Sequence, residues 1–202
     1  MAYRICDCDT PEHKGVLGTQ YTELMDFCFK HSRYFALTFL HIRSGVDKLE
    51  ELSPYLHTSY ASKEELWYPY GQDATVNIYV CTEESKAIFL RQTDTLFSWE
   101  AYTYHRAEDI AFFREDGMAV FDMVTHEGIA TIYDLVDEEV PVFVQQKPWE
   151  RIEDDPRYIP AIWTAKYIAD LPVSKKQRQK LNIIEKINIS KRKNPYRRLH
   201  TK

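Results

Sequence analysis

The chain has 202 residues, of which 44% are hydrophobic and 28% are charged, and its formal net charge is −5. This composition predicts a folded globular protein and excludes wholesale disorder; no apolar run reaches the ~18 residues that a membrane-spanning helix needs. The six glycines form neither GxGxxG nor GxxxxGK[ST], which excludes the common glycine-rich phosphate-binding loops.

Cysteine usage bears on the compartment and on metal binding. Four cysteines in a chain of this length are too few for a disulfide framework, and no apolar stretch follows a basic N-terminus. We therefore expect reduced thiols and a cytoplasmic location. Cys6, Cys8 and His13 are the only clustered metal-ligating residue types, but their spacing does not fit a structural zinc site. We expect no metal and no cofactor.

The first half of the chain shows alternating helix and strand signals. Apolar residues at helical spacing predict a helix from Thr19 onward, with this buried stripe: Tyr21, Leu24, Met25, Cys28 and Phe29. A β-rich run over 33–42 predicts a central strand. Ser44 is a candidate N-cap for a second helix, which Pro54 must end or kink. Strict alternation over 75–81 predicts a strand, and Thr82 with the acids after it predicts a helix to about residue 92.

The middle of the chain is typical of an antiparallel sheet. Five alternating or β-rich runs are predicted as strands: 97–101, 110–114, 118–125, 128–133 and 142–144. Gly117 lies in a short loop between the second and third of these runs, which indicates a hairpin. Grouped strands with helices before and after predict an α+β fold. We expect a single domain with an antiparallel sheet of about five or six strands and helices packed on one side.

Charge divides the chain into two segments. Residues 174–202 contain eleven Lys or Arg and one Glu. Removing these from the 26 basic and 31 acidic residues of the whole chain leaves 15 and 30 in residues 1–173, a formal charge of −15. Before the tail, 147–160 is a polar connection, and Pro160 and Pro172 frame a predicted helix over 161–170. We predict an acidic globular domain over 1–173 and a basic, helical or flexible tail over 174–202.

The tail supports an alternative function. Its end carries clustered basic side chains without periodicity: Lys191, Arg192, Lys193, Arg197 and Arg198. Clustered Lys and Arg side chains bind nucleic acid by displacing counterions from the phosphate backbone. The tail is thus either a nucleic-acid contact or a solvated terminus, or it folds back on the acidic domain. The acidic domain repels a polyanion, so nucleic-acid contact would be confined to the tail.

The segment Thr125-His126-Glu127 is the best candidate for catalysis. A histidine beside a carboxylate suits acid–base chemistry because its pKa is ordinarily about 6.5. Position 130 is an alanine, so the zinc motif HExxH is absent. In a strand, His126 and Glu127 point to opposite faces unless a turn near Gly128 intervenes. We interpret His126 as a structural histidine at a strand end, with a His126/Glu127 enzyme as the third-ranked function.

A loop rich in aromatic residues is the best candidate for partner contact. Trp67, Tyr68 and Tyr70 lie beside Pro69 and Gly71, outside any periodic element. Trp and Tyr in such loops supply rigid contact area with a polar group, which is typical of interface hot spots. The alternative is that the rings fold over the core.

One segment resembles a known class of proteins. Residues 108–117, Glu-Asp-Ile-Ala-Phe-Phe-Arg-Glu-Asp-Gly, run on toward Thr125-His126-Glu127. This pattern resembles small acidic α+β bacterial proteins, some of them immunity proteins that neutralise a toxin by binding it. The resemblance covers about a tenth of the chain, and the basic tail departs from it. It implies a protein partner, and we add Glu108 and Asp109 to the predicted partner contacts.

No complete catalytic set emerges, so the sequence favours recognition over catalysis. The leading hypothesis is a non-enzymatic, cytoplasmic, immunity-like or inhibitory protein. Its acidic, aromatic-rich surface would bind a protein partner, for example a cationic toxin or nuclease.

Overall fold

The computed structural model describes residues 2–6, 15–41, 49–62, 74–115, 119–133 and 139–152. Its strands are β1 (Ala2–Cys6), β2 (Tyr34–Leu40), β3 (Leu56–Ser62), β4 (Ala74–Val80), β5 (Glu108–Phe113), β6 (Ala119–Val124), β7 (Ile129–Ile132) and β8 (Glu150–Ile152). Its α-helices are α1 (Thr19–His31), α2 (Glu83–Leu90) and the short α3 (Ala101–Tyr104). The chain is therefore α+β, as predicted.

The strands form one antiparallel sheet in the order β3-β4-β2-β5-β6-β7-β1-β8. Eight strands among the described residues correct the prediction of five or six. The predicted hairpin is confirmed, because β5 pairs with β6 across the loop that follows Glu115. The strand after it is confirmed as well, since β7 pairs with both β6 and β1.

One face of the sheet carries a continuous row of large apolar side chains. Residues directly opposite one another on six neighbouring strands form this row: Tyr3, Ile132, Phe121, Phe112, Phe35 and Tyr79. All six are buried and belong to one hydrophobic cluster. Because side chains of a strand alternate between faces, this row gives one side of the sheet a mainly apolar centre.

Helices α1 and α2 cover this apolar face. The predicted stripe of α1 is buried in the same cluster as the sheet row, and Phe89 of α2 contacts the rings of Phe35 and Phe112. The start of α2 is a reciprocal cap, in which Thr82 Oγ1 accepts from the Ser85 N–H and Ser85 Oγ accepts from the Thr82 N–H. Both helices therefore lie on one side of the sheet, as expected.

The opposite face carries a row that includes polar and charged side chains. The residues one position along each strand are Arg4, Thr131, Asp122, Ala111, Ala36 and Ile78. Ala111, Ala36 and Ile78 are buried, whereas Arg4 and Asp122 are half-buried. Polar groups thus concentrate on this face near β1, β6 and β7.

Three predicted elements are wrong in type. Residues 97–101 are not a strand: Leu96–Ser98 form a 3-10 helix and α3 follows it. Leu96 and Trp99 are buried, and their three-residue spacing matches the 3-10 period. Val142–Gln145 are also a 3-10 helix, with Val142 exposed and only Val144 buried. The described part of the predicted second helix is also different: it is a short 3-10 helix, Glu50–Tyr55, which contains Pro54.

Both edge strands escaped prediction because they lack a clear apolar signal. Strand β3 has the sequence LHTSYAS, and β8 is the three-residue segment ERI inside the predicted polar connection. Each is paired on one side only among the described residues, so neither needs the alternation of a central strand.

Two of the described cysteines are free thiols, as expected, and one is not. Cys28 is a buried free thiol in α1 and Cys81 is a free, half-buried one. Cys6 is disulfide-bonded, so the expectation of reduced thiols is wrong for this residue. A single disulfide does not require the many cysteines of a disulfide framework, which is why cysteine count alone misled. Cys8, His13, the predicted helix over 161–170 and the tail 174–202 lie outside the described residues.

Candidate functional site

The Thr125-His126-Glu127 segment is a turn rather than the end of a strand. These residues form a 3-10 helix between β6 and β7, and it ends at Gly128, whose φ is 62°. This positive φ is one that glycine adopts without strain. The turn brings His126 Nε2 to 3.9 Å from Glu127 Oε1, with 32% and 52% of the two side chains exposed. The pair is therefore close but open to solvent.

Glu108 and Asp109 lie inside the protein. Glu108 is 0% exposed, and its Oε1 accepts a hydrogen bond of 2.9 Å from the backbone N–H of Ala101, at the start of α3. Asp109 is 5% exposed and exchanges two bonds with Thr125. The Thr125 N–H donates to Asp109 Oδ1 at 2.9 Å, and the Asp109 N–H donates to Thr125 Oγ1 at 3.0 Å.

This placement does not fit the predicted role of the two carboxylates in partner contact. Both accept backbone hydrogen bonds that fix the entry to β5 and the end of β6. Asp109 also has a φ of 51°, a conformation that non-glycine residues rarely adopt. The reciprocal bonds with Thr125 hold it there. The two residues are therefore structural in the described part of the chain.

The other predicted contacts lie outside the part of the chain that the structure describes. Trp67, Tyr68 and Tyr70 lie outside the described residues, as do the basic side chains of the tail: Lys191, Arg192, Lys193, Arg197 and Arg198. Their roles stay predictions.

A polar cluster on the sheet was missed from the sequence. Asp122 lies in the middle of β6, and its Oδ1 accepts a hydrogen bond of 2.8 Å from the Tyr133 hydroxyl. In register with Asp122 are Thr131 on β7 and, one strand further, Arg4 on β1. The available signal was a single carboxylate within the apolar run AVFDMV.

The environment of Asp122 changes its titration. Desolvation raises the pKa of Asp122 to about 7, and the nearby Asp109 carboxylate adds to this effect. The Tyr133 hydrogen bond and Arg4 act in the opposite direction, with smaller effects. Burial also raises the pKa of Tyr133 well above its usual range. Asp122 therefore exchanges its proton near neutral pH, while Tyr133 remains a hydrogen-bond donor.

The outer surface of the helices is rich in carboxylates. We define the acidic layer as the exposed acids of α1, α2 and the 3-10 helix Glu50–Tyr55: Glu23, Asp26, Glu50, Glu51, Glu83 and Glu84. Lys86 joins α1 to α2, with Nζ 2.7 Å from Asp26 Oδ1 and 3.6 Å from Glu83 Oε2. Arg91 binds Glu51. Lys86 and Arg91 thus link α2 to α1 through Asp26 and to the 3-10 helix through Glu51.

Half of the acidic layer forms no ion pair with a cation of the described residues. Within the described structure, Lys86 and Arg91 are engaged by Asp26, Glu83 and Glu51, and no described cation forms an ion pair with the other three acids: Glu23, Glu50 and Glu84. The pKa of Glu84 is lowered because its carboxylate accepts bonds from its own N–H and from Thr82. These acids give the surface a negative potential at neutral pH.

The described residues contain no group of three or more His, Cys, Asp or Glu side chains placed to hold a metal ion. No helix among them combines the length and the apolar character needed to cross a membrane.

Comparisons with known proteins assign no relative to this chain. No protein family, no curated protein and no solved structure matches it.

Proposed function

We propose that the protein is a non-enzymatic binding protein that recognises a cationic protein partner through the acidic layer. The observation that carries this proposal is the three carboxylates, Glu23, Glu50 and Glu84, that no described cation neutralises. Such a surface steers an oppositely charged partner and favours the correct orientation at encounter.

The surface around these carboxylates suits recognition. Their helices are anchored by the aromatic cluster beneath, so the acids sit on a fixed scaffold. A rigid charged surface binds with less loss of conformational freedom than a mobile one. The resemblance of residues 108–127 to toxin-immunity proteins supports a cationic toxin or nuclease as the partner. The aromatic loop with Trp67, Tyr68 and Tyr70 would add apolar contact area.

The test compares two triple variants of equal charge change. E23Q/E50Q/E84Q removes the unneutralised acids of the acidic layer, whereas E115Q/E127Q/E150Q removes three exposed acids elsewhere. Immobilised wild type and variants are incubated with lysate of the source cells, and retained proteins are identified and quantified. We expect wild type and the control variant to retain the same basic protein in stoichiometric amount, and E23Q/E50Q/E84Q to lose it.

Two outcomes would contradict the proposal. One is retention of no protein at low salt, where charge attraction is strongest. The other is equal loss with both variants, which would show that net charge alone matters. Adding 0.5 M salt should release the partner from wild type, because exposed charge attraction is screened over about 4–5 Å at that concentration.

The alternative is a nucleic-acid-associated protein that uses the basic tail. The eleven basic residues of 174–202 favour it. A gel shift at two salt concentrations separates the two functions. The variant K191Q/R192Q/K193Q/R197Q/R198Q should abolish a tail-driven shift, while E23Q/E50Q/E84Q should leave it intact.

A further inference from the structure

The face of the sheet that points away from α1 and α2 has an apolar half. Arg4 and Asp122, on β1 and β6, belong to its polar half. On β2, β4 and β5 the cross-strand register places six other side chains on this face, which we call the second-face patch: Tyr34, Ala36, Val76, Ile78, Ala111 and Phe113. Each of the six is 5% exposed or less.

The described helices do not explain this burial. The buried apolar side chains of α1 and α2 belong to the hydrophobic cluster on the other face, and so do Leu52, Leu96 and Val144 of three 3-10 helices. None of the second-face patch belongs to that cluster. Ala101 of the short α3 clusters with Leu40 and Ala74. In the described part of the chain, this contact at the end of β2 is the helical cover that the second face has.

The cover comes from the chain itself. The patch is buried in a single chain, so other atoms of that chain shield it from water. The longest stretch outside the described residues is 153–202, which follows directly on β8. The next longest, 63–73, has eleven residues and joins β3 to β4. Residues 153–202 are therefore the largest source of cover.

Within 153–202, the predicted helix over 161–170 has the composition of a buried helix. Seven of its ten residues are apolar: Ala161, Ile162, Trp163, Ala165, Tyr167, Ile168 and Ala169. Its two charged residues, Lys166 and Asp170, are four positions apart and would share one side of a helix. A helix that is apolar over most of its circumference is typically buried. This segment thus needs an apolar surface to pack on.

The chain is long enough to bring this segment to the patch. Strand β8 is the edge of the sheet and lies four positions from β5, a distance of about 19 Å at the usual strand spacing. The eight residues 153–160 span up to about 26 Å when extended. A helix of ten residues is about 15 Å long, which is enough to cross β5, β2 and β4.

We propose that residues 161–170 form a helix that packs on the second-face patch, so that helices enclose the sheet from both sides. The acidic layer on the outer surface of α1 and α2 then stays uncovered. The basic tail 174–202 begins on the opposite side of the sheet. The two oppositely charged parts of the protein are thereby kept apart by the thickness of the sheet.

Methyl NMR on the full-length wild type tests the contact directly. Alanine and isoleucine methyl groups are labelled, and nuclear Overhauser effects between them are recorded. We expect effects between the Ile162 or Ile168 methyl groups and those of the patch. Their absence would overturn the proposal. Effects from the patch to the ring of Trp67 in their place would also overturn it, because 63–73 would then be the cover.

An isotope-filtered version of this measurement distinguishes a second copy of the chain as the occupant. Labelled and unlabelled protein are mixed in equal amounts, and only effects between different molecules are detected. We expect no intermolecular effect at the patch. An intermolecular effect from 161–170 to the patch would show that the segment docks on a neighbouring molecule, and it would overturn the proposal.

Trypsin cleavage after Lys166 tests the packing by a second route. Ile168 and Lys166 are two residues apart and would lie on nearly opposite sides of a helix. Ile168→Gln should therefore raise the initial rate of cleavage after Lys166 about tenfold or more, because it weakens the apolar contact and populates the undocked segment. Cleavage after Lys30 in α1 should be unchanged.

Ile183→Gln is the matched control, since it makes the same change outside 161–170. It should leave the rate of cleavage after Lys166 at the wild-type value. Equal rates in wild type and Ile168→Gln, or equal acceleration by both variants, would contradict the packing. The NMR measurement needs no variant, so it decides the question even where a variant fails to fold.

Discussion

The two faces of the sheet are built from the same strands, yet they differ in chemistry. The helix-covered face presents the row from Tyr3 to Tyr79, in which every side chain is large, apolar and buried. The other face, one residue along, presents the row from Arg4 to Ile78, with Asp122 in the middle. Two successive residues of one strand thus lie on opposite faces, so a buried aromatic side chain such as Phe121 is followed directly by a titratable one, Asp122.

The two faces are therefore expected to differ in how their contribution to stability depends on pH. Removing apolar surface from water stabilises the row from Tyr3 to Tyr79 at any pH, because none of its six side chains changes charge near neutrality. The polar face depends on hydrogen bonds and on the state of one carboxyl group. We therefore expect substitutions on the first face to cost more and to be insensitive to pH.

The largest effect is expected at the centre of the aromatic row. Phe112 is fully buried and contacts the rings of Phe29, Phe35, Phe89 and Phe121. Phe112→Ala should lower the free energy of unfolding by about 3–5 kcal/mol, through lost transfer energy and the cavity left behind. Urea denaturation measures this. A loss below 1 kcal/mol would show that this row is not the core.

A smaller effect is expected where α1 meets Trp99. The indole N–H of Trp99 donates to the Tyr21 hydroxyl at 2.9 Å, and both side chains are buried. Tyr21→Phe should cost about 1–3 kcal/mol, because it leaves a buried donor without a partner. Tyr104→Phe is the matched control at a side chain that is 52% exposed. Equal effects of the two changes in a thermal melt would contradict the prediction.

In the turn that follows β6, Thr125 offers an isosteric test. Thr125→Val keeps the shape but removes the acceptor of the Asp109 N–H, so about 1–3 kcal/mol should be lost. Thr125→Ser keeps the hydroxyl and should cost no more than about 1 kcal/mol for its missing methyl group. Urea denaturation of the two variants distinguishes the hydrogen bond from packing. A larger cost for Ser than for Val would reverse our interpretation.

The smallest effect is expected outside both faces, at the ion pair between Lys86 and Asp26. It joins α1 to α2 at a distance of 2.7 Å, and half of the Asp26 side chain is exposed. A double-mutant cycle with Lys86→Met and Asp26→Asn should give a coupling of about 0.2–1 kcal/mol, since water screens exposed pairs. A coupling above 2 kcal/mol would place this pair among the main stabilising contacts.

Prediction from sequence succeeded where the apolar period was regular. The α1 stripe, the alternation of β4 and the β5–β6 hairpin were all correct. It failed at short runs such as 142–144, because three apolar residues fit a strand and a 3-10 turn equally well. It also failed at β3 and β8, since an edge strand buries too little to leave a pattern.

The site was less predictable than the fold for a physical reason. Glu108 and Asp109 look like surface acids in the sequence, but their hydrogen bonds are to Ala101 and Thr125, which only the folded backbone brings near. Asp122 depends likewise on Tyr133, Arg4 and Asp109, which lie on three other parts of the sheet. Contacts between distant segments leave no local signature.

The most direct test of the difference between the faces is the unfolding free energy of wild type and D122N at pH 5 and pH 7. The pKa of Asp122 is higher in the folded protein than in the unfolded chain, so stability falls as pH rises through this range. We predict that wild type loses at least about 1.4 kcal/mol more than D122N between the two pH values. An identical loss in both proteins would show that Asp122 ionises freely and that the two faces respond to pH alike.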